Sequence, residues 1–287
     1  MSETLPDIAV PELETIERPA EFRLPNLLHA LMFFLLAGLV MTLVTVSVLG
    51  AVLAVTYLPG FHPATLSELT KNAIVLMIAQ ALSYIIVLLI AAWLFGEWWQ
   101  KKFYAGIEWN WHTARKQTAW LAGAGLVLGM LAYLASTLLT VPKSLPVDDY
   151  FQKTSAVWLI AIFGCTLGPM FEEIVFRGFL QPALTTAWMW GGVQLGRAKS
   201  EGESYAAITF SVVLTSIAFT AIHAPQLANN LSVLGLLFLV SVVLTMVKVL
   251  LRSVAASTLV HAGYNLWNFV LMFILTSGFR HLEKLQR

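Results

Sequence analysis

Apolar runs of about 20 residues recur along almost the whole chain, and their length constrains the fold more than any other feature. A run of that length crosses the hydrocarbon of a bilayer as a helix, at about 1.5 Å per residue. In lipid the backbone amides and carbonyls find no water, so only a helix or a closed barrel satisfies them. Barrel strands need only about 9–11 residues, so these runs are helical. Composition agrees: the chain of 287 residues is 58% hydrophobic and 11% charged, where soluble chains carry about 25% charged residues. The expected fold is all-α, a polytopic transmembrane helix bundle of seven or eight spans.

The expected spans cover 25–57, 72–96, 117–141, 206–223, 230–250 and 254–277, with a longer stretch from 155 to about 190. That stretch is too long for one straight span. Gly168-Pro169 offers a break, because proline fits a first helical turn where its missing N–H is not needed. A helix to about 167 and a second from near Pro169 would place Glu172 and Glu173 near a helix N-terminus, where the dipole favours negative charge. Gly123, Gly125 and Gly129 are spaced for close helix contact. Four parts are expected: an acidic tail over 1–23, N-terminal transmembrane helices over 24–154, a helical core over 155–278 and a polar tail over 279–287. The tail lacks the basic start and short apolar core of a secretory signal. Lys101, Lys102, Arg115 and Lys116 make 97–117 the strongest short basic loop, which places it and the N-terminus in the cytoplasm. The one cysteine, Cys165, excludes a disulfide framework and a multi-cysteine zinc site. No long basic cluster marks a nucleic-acid partner.

Three charges interrupt the long stretch: Glu172, Glu173 and Arg177. Each costs about 2.5–3.5 kcal/mol at the centre of a membrane helix, roughly 8–10 kcal/mol together, so a function is the default reading. Helical geometry turns Glu172 about 100° from Glu173, so the two face different partners. Glu173 and Arg177 stand four apart with the acid first, the favoured order for a pair. Glu172 is then left free, which suits a general base. The alternative is an ion-pair network that only ties helices together. Phe219 and His223 are also four apart and can wall one pocket, although a lone histidine at a helix end is more often structural. His261 and Asn265 share a face of the last span and can aim two donors at one point, as an oxyanion requires; polar side chains also serve as glue between membrane helices. Lys248 and Arg252 read as lying between spans, and His29, His62, His112 and His281 as interfacial. No motif is legible before residue 155.

The order Glu172-Glu173-x-x-x-Arg177, Phe219-x-x-x-His223, His261-x-x-x-Asn265 on apolar helices resembles the CAAX protease and bacteriocin-processing family. Its eukaryotic member is the Ras-converting endoprotease, and its bacterial members are glutamate-dependent intramembrane proteases. The resemblance spans roughly 155–270 and makes 155–278 the catalytic core. It implies that Glu172 and His223 activate a water for attack on a peptide carbonyl. His261 and Asn265 would stabilise the oxyanion, and Glu173, Arg177 and Phe219 would support the site or position substrate. Implied substrates are CAAX peptides bearing a prenyl group, or other membrane-anchored peptides and proteins. They would reach a conical cavity open to cytosol and lipid.

The rival chemistry within hydrolases is zinc held by Glu172, His223 and His261. No His-Glu-x-x-His helix accompanies it, and Asn265 suits an oxyanion better, so the expectation is no metal and no cofactor. Outside hydrolases, buried Glu, His and Arg also build proton-coupled transporters, but those commonly pair matching broken helices in two halves. A non-catalytic scaffold or immunity protein would keep the same residues. The expected location is a bacterial inner membrane, with peptide or protein substrate and membrane lipids as partners.

Overall fold

The computed structural model describes residues 24–139, 142, 145–151, 154–196 and 204–286; the expected 1–23 tail and parts of the loops near 140–153 and 197–203 lie outside them. The described chain folds into helices α1 (Leu27–Thr56), α2 (Leu66–Leu69), α3 (Ala73–Trp99), α4 (Phe103–Gly106), α5 (Trp111–Lys116), α6 (Thr118–Ser136), α7 (Thr154–Cys165), α8 (Leu167–Glu173), α9 (Gln181–Gln194), α10 (Tyr205–His223), α11 (Leu231–Leu251) and α12 (Val254–Leu275). A π-helix, Ile174–Leu180, joins α8 to α9, so 154–194 forms one broken helical stretch. Among the described residues, seven helical stretches are long and apolar enough to cross a membrane, the broken stretch counting once. Their outward faces carry large apolar side chains such as Leu35, Leu39, Val46, Leu89 and Leu239, as lipid contact demands of a membrane helix.

Each long helix starts where a polar residue meets an apolar run. Asn26, Asn72, Ser204, Asn230 and Ser253 accept backbone N–H bonds with their side chains at the starts of α1, α3, α10, α11 and α12. These acceptors satisfy amides that the first turn leaves unpaired. At α1 the exchange is reciprocal: Asn26 Oδ1 accepts from His29 N–H, and His29 Nδ1 accepts from Asn26 N–H, both at 3.2 Å.

Packing brings the site together. α12 lies against α6, and the contact needs glycine: a Cβ at Gly125 would collide with the Val260 carbonyl, and one at Gly129 with Trp267. Gly263 fits against Ala122 in return, whereas Gly123 has open space around it. Two of the three glycines spaced for contact therefore make it. On the other flank α1 and α3 press aromatic rings onto α8 and the π-helix. Phe33 stacks on Phe179 with centroids 4.3 Å apart, and Tyr84 stacks on Phe171 at 3.7 Å.

The break falls slightly before Gly168-Pro169, at Thr166, whose φ of −130° and ψ of −91° interrupt the helix. Gly168 and Pro169 occupy the first turn of α8, where proline is tolerated. One expectation fails. Glu172 and Glu173 end the seven-residue α8 instead of opening it, and the dipole fades beyond the first turn. Arg177 on the same stretch and side chains from α11 and α12, not the helix terminus, accommodate the buried charge of Glu173.

Candidate active site

Glu173 and Arg177 are both 0% exposed, so each must find partners inside the protein. Arg177 Nη1 donates to Glu173 Oε1 at 2.9 Å, the pairing expected from their spacing. Its Nε donates to Thr245 Oγ1 at 3.1 Å, and its Nη2 to the carbonyl and hydroxyl of Ser241 at 3.0 and 2.7 Å. The guanidinium also lies over the Phe219 ring, 4.7 Å from its centroid. Ser241 and Thr245 stand four apart on α11, so one face of that helix holds the arginine fork. Glu173 accepts three bonds: from Arg177, from Ser257 Oγ, and from His261 Nδ1 at 2.9 Å. A fully bonded buried pair of this kind rigidifies its surroundings.

The bond to Glu173 fixes His261. An ionised carboxylate only accepts, so Nδ1 carries the hydrogen and Nε2 faces the other way. Nε2 lies 3.8 Å from Glu172 Oε2, too long for a hydrogen bond and close enough for one water to touch both. Glu172 differs from its neighbour in access, its side chain being 24% exposed. The two glutamates thus divide as the helical geometry requires, one locked in the frame and one open.

His223 ends α10, and its Nδ1 lies 2.8 Å from the Phe219 carbonyl. A carbonyl only accepts, so here too Nδ1–H is the donor and the neutral ring presents a lone pair at Nε2. The Phe219 ring separates and gathers the groups: its centroid is 4.6 Å from His223, 5.9 Å from His261 and 5.2 Å from Phe176. Among the described residues no hydrogen bond or ion pair links His223 to Glu172; the histidine brought to Glu172 is His261. Asn265, one turn beyond His261, gives its Nδ2–H to the Gly164 carbonyl at 2.6 Å, just before the break at Thr166. His261 and Asn265 share a face, but in this structure their bonds run to different partners. No group of three His, Cys, Asp or Glu among the described residues is arranged to hold a metal ion.

Sequence reading missed several residues here. Lys248 does not lie between spans. It occupies the last turn of α11, is 5% exposed, and bonds Gln181 Oε1 and Glu108 Oε2, each at 2.9 Å. Gln181 in turn bonds Thr185 and Ser211. Lys248 follows Thr245 by three residues and Gln181 follows Arg177 by four, so this network repeats the arginine network one turn along. A cavity of about 110 Å³ adjoins it, lined in part by Glu108, Gln181, Thr185, Thr186 and Lys248. Helical spacing within α11 was the available signal. The interfacial loop also braces α12, since Glu108 O accepts from Val254 N and Asn110 O from Ser253 Oγ.

This is an integral membrane protein whose spans bury a carboxylate–arginine–histidine cluster with one accessible glutamate beside it. Residues 154–267 match the family described as Rce1-like, type II CAAX prenyl endopeptidase. That match supports, at family level, a peptidase of the CAAX type acting in a membrane. No curated protein and no solved structure matches the chain.

Proposed function

We propose that the protein is a metal-independent intramembrane endopeptidase that uses Glu172 as general base. The observation carrying this reading is the split between the glutamates: Glu173 is spent on Arg177, His261 and Ser257, while Glu172 stays accessible. A carboxylate held beside, but not bonded to, an imidazole leaves room for the water it would activate. Glu172 accepts one hydrogen of that water, and the free Nε2 of His223 accepts the other, which aims the oxygen at the scissile carbonyl. As the C–O bond forms, the proton passes to Glu172. His261 stabilises the oxyanion as an imidazolium, because its Nδ1–H is committed to Glu173 and only the doubly protonated ring has an Nε2–H to give. Asn265 supplies a second donor through its amide. When the C–N bond breaks, the leaving amine takes the proton back from Glu172. Phe219, Arg177 and Glu173 keep the two histidines in place.

The family match and the membrane setting support the proposed substrate class: CAAX-type prenylated peptides, with other membrane-anchored peptides or proteins as the broader class. The N-terminal end and the basic 97–117 loop lie in the cytoplasm, and the membrane is a bacterial inner membrane; Lys101, Lys102, Arg115 and Lys116 support that side. The test is a farnesylated peptide ending in a CAAX sequence, offered beside its unprenylated twin to the detergent-solubilised protein. Release of the last three residues, leaving a free carboxylate on the prenylated cysteine, is expected, and faster than from the twin. Cleavage elsewhere, or none from any membrane-anchored peptide, would remove this reading.

A further inference from the structure

Several span ends meet around the cavity of about 110 Å³ beside the Lys248 network. Leu24 and Pro25 lead into α1, Glu108 belongs to the stretch between the exposed Trp98 and Trp111, and Lys248 stands in the last turn of α11. Tryptophans favour the boundary between hydrocarbon and headgroups, so the cavity lies at headgroup level. Its walls hold donors that the protein leaves unspent. An ammonium carries three hydrogens. Those of Lys248 reach Gln181 Oε1 and Glu108 Oε2, each at 2.9 Å, and among the described residues nothing accepts the third. Thr186 is 7% exposed and also lines the cavity. Its neighbour Thr185 turns its hydroxyl to the Gln181 carbonyl and to Ser211, whereas among the described residues no hydrogen bond involves the Thr186 hydroxyl. Glu108 Oε1 is likewise unbonded among them, and its side chain is 48% exposed. Buried polar groups are ordinarily paired, so a cavity edged by open ones is a place for a polar guest.

We propose that this cavity binds the phosphoethanolamine headgroup of a membrane lipid, with Lys248 and Thr186 donating to the phosphate and Glu108 Oε1 accepting from the ammonium. Charge decides between headgroups. Lys248 and Glu108 stand side by side and are together neutral, so the guest that adds no uncompensated charge carries both signs itself. A headgroup with a phosphate alone would meet the Glu108 carboxylate with nothing to offset it. A choline carries both signs, but its nitrogen has no hydrogen for Glu108, and the described lining holds none of the aromatic rings that receive a quaternary ammonium. The apolar wall of Leu24, Pro25 and Pro182 suits the glycerol end of the lipid. The site uses none of the residues assigned to the peptidase chemistry, so the two readings stand or fall separately.

The test is native mass spectrometry of the full, delipidated chain in detergent, offered phosphatidylethanolamine, phosphatidylcholine and phosphatidylglycerol of the same acyl chains in equal amounts. A single phosphatidylethanolamine should be retained about tenfold more tightly than either competitor, as one hydrogen bond to a charged group allows. Thr186→Val keeps the side chain's shape and removes a hydroxyl without a protein partner. It should melt like the wild type yet bind phosphatidylethanolamine about tenfold more weakly. Glu108→Gln, measured well below its melting temperature, should narrow the preference over phosphatidylcholine. Equal retention of the three lipids, or of none, would overturn the inference and leave the cavity to solvent. A preference for phosphatidylglycerol, or unchanged affinity in Thr186→Val, would overturn it equally. Water-soluble glycerophosphoethanolamine is the last arm: binding as tight as that of the lipid would overturn the membrane source.

Discussion

Replacing Glu173 by glutamine keeps the side chain's shape and removes its charge from a site with no solvent. Arg177 is then left charged and buried. Its bonds to Ser241 and Thr245 and its place over Phe219 remain, but all of these partners are neutral. Breaking a buried ion pair from one side destabilises by about 3–5 kcal/mol, because one desolvated charge loses its counter-charge. The lower end is expected here, since an unfolded chain that stays in the membrane finds partners of its own. At about 2–4 °C per kcal/mol, the melting temperature falls by about 6–20 °C. Arg177→Met alone should cost a similar amount by stranding Glu173 with His261 and Ser257. The double variant Glu173→Gln/Arg177→Met removes both charges and should recover about 2–3 kcal/mol relative to the sum of the singles. The assay is thermal unfolding in one detergent, followed by tryptophan fluorescence and confirmed by retention on size exclusion. Single-variant losses below about 1 kcal/mol, or strict additivity in the double, would refute the claim that this pair frames the site.

Three further outcomes are expected. Asn265→Ala should lower kcat by about 10²–10³ with little change in KM, as loss of an oxyanion donor does; a change confined to KM would leave Asn265 only its bond to Gly164. Gly125→Ala should destabilise by about 1–3 kcal/mol because its methyl meets the Val260 carbonyl, while Gly123→Ala, facing open space, should melt like the wild type; equal losses would contradict the α6–α12 contact. Burial would raise the Glu108 carboxyl, but the charges of Lys248 and Arg252 outweigh it and hold it below the ordinary carboxylate value. Its contribution is therefore present above about pH 4.3 and is lost as pH falls through the lowered folded value. Glu108→Gln should melt below the wild type at neutral pH, and the gap should close on acidification; a gap independent of pH would count against the pair.

What sequence alone could reveal here depended on distance along the chain. The helical class, the span limits and the Glu173–Arg177 pair rest on neighbours within a helical turn or on run length, and local spacing states these directly. The partners of that pair are not local. Ser257 and His261 reach Glu173 from α12, and Ser241 and Thr245 reach Arg177 from α11, by packing that no spacing encodes. Gly168-Pro169 marked the break to within a few residues, but a proline is compatible with several positions in a first turn, and the backbone yields at Thr166. The π-helix after Glu173 left no local signature. Lys248 looked interfacial because a lysine near the end of an apolar run normally reaches water; its burial depends on Gln181 and Glu108 in distant segments.

The most direct test of the account compares the wild type with Glu172→Gln on a farnesylated CAAX peptide in detergent, with products identified by mass and both proteins checked for equal melting. The account predicts tripeptide release by the wild type and background release by the variant, at unchanged stability because Glu172 stands outside the buried frame. Equal release by both proteins would contradict it, because the base would then be some other group.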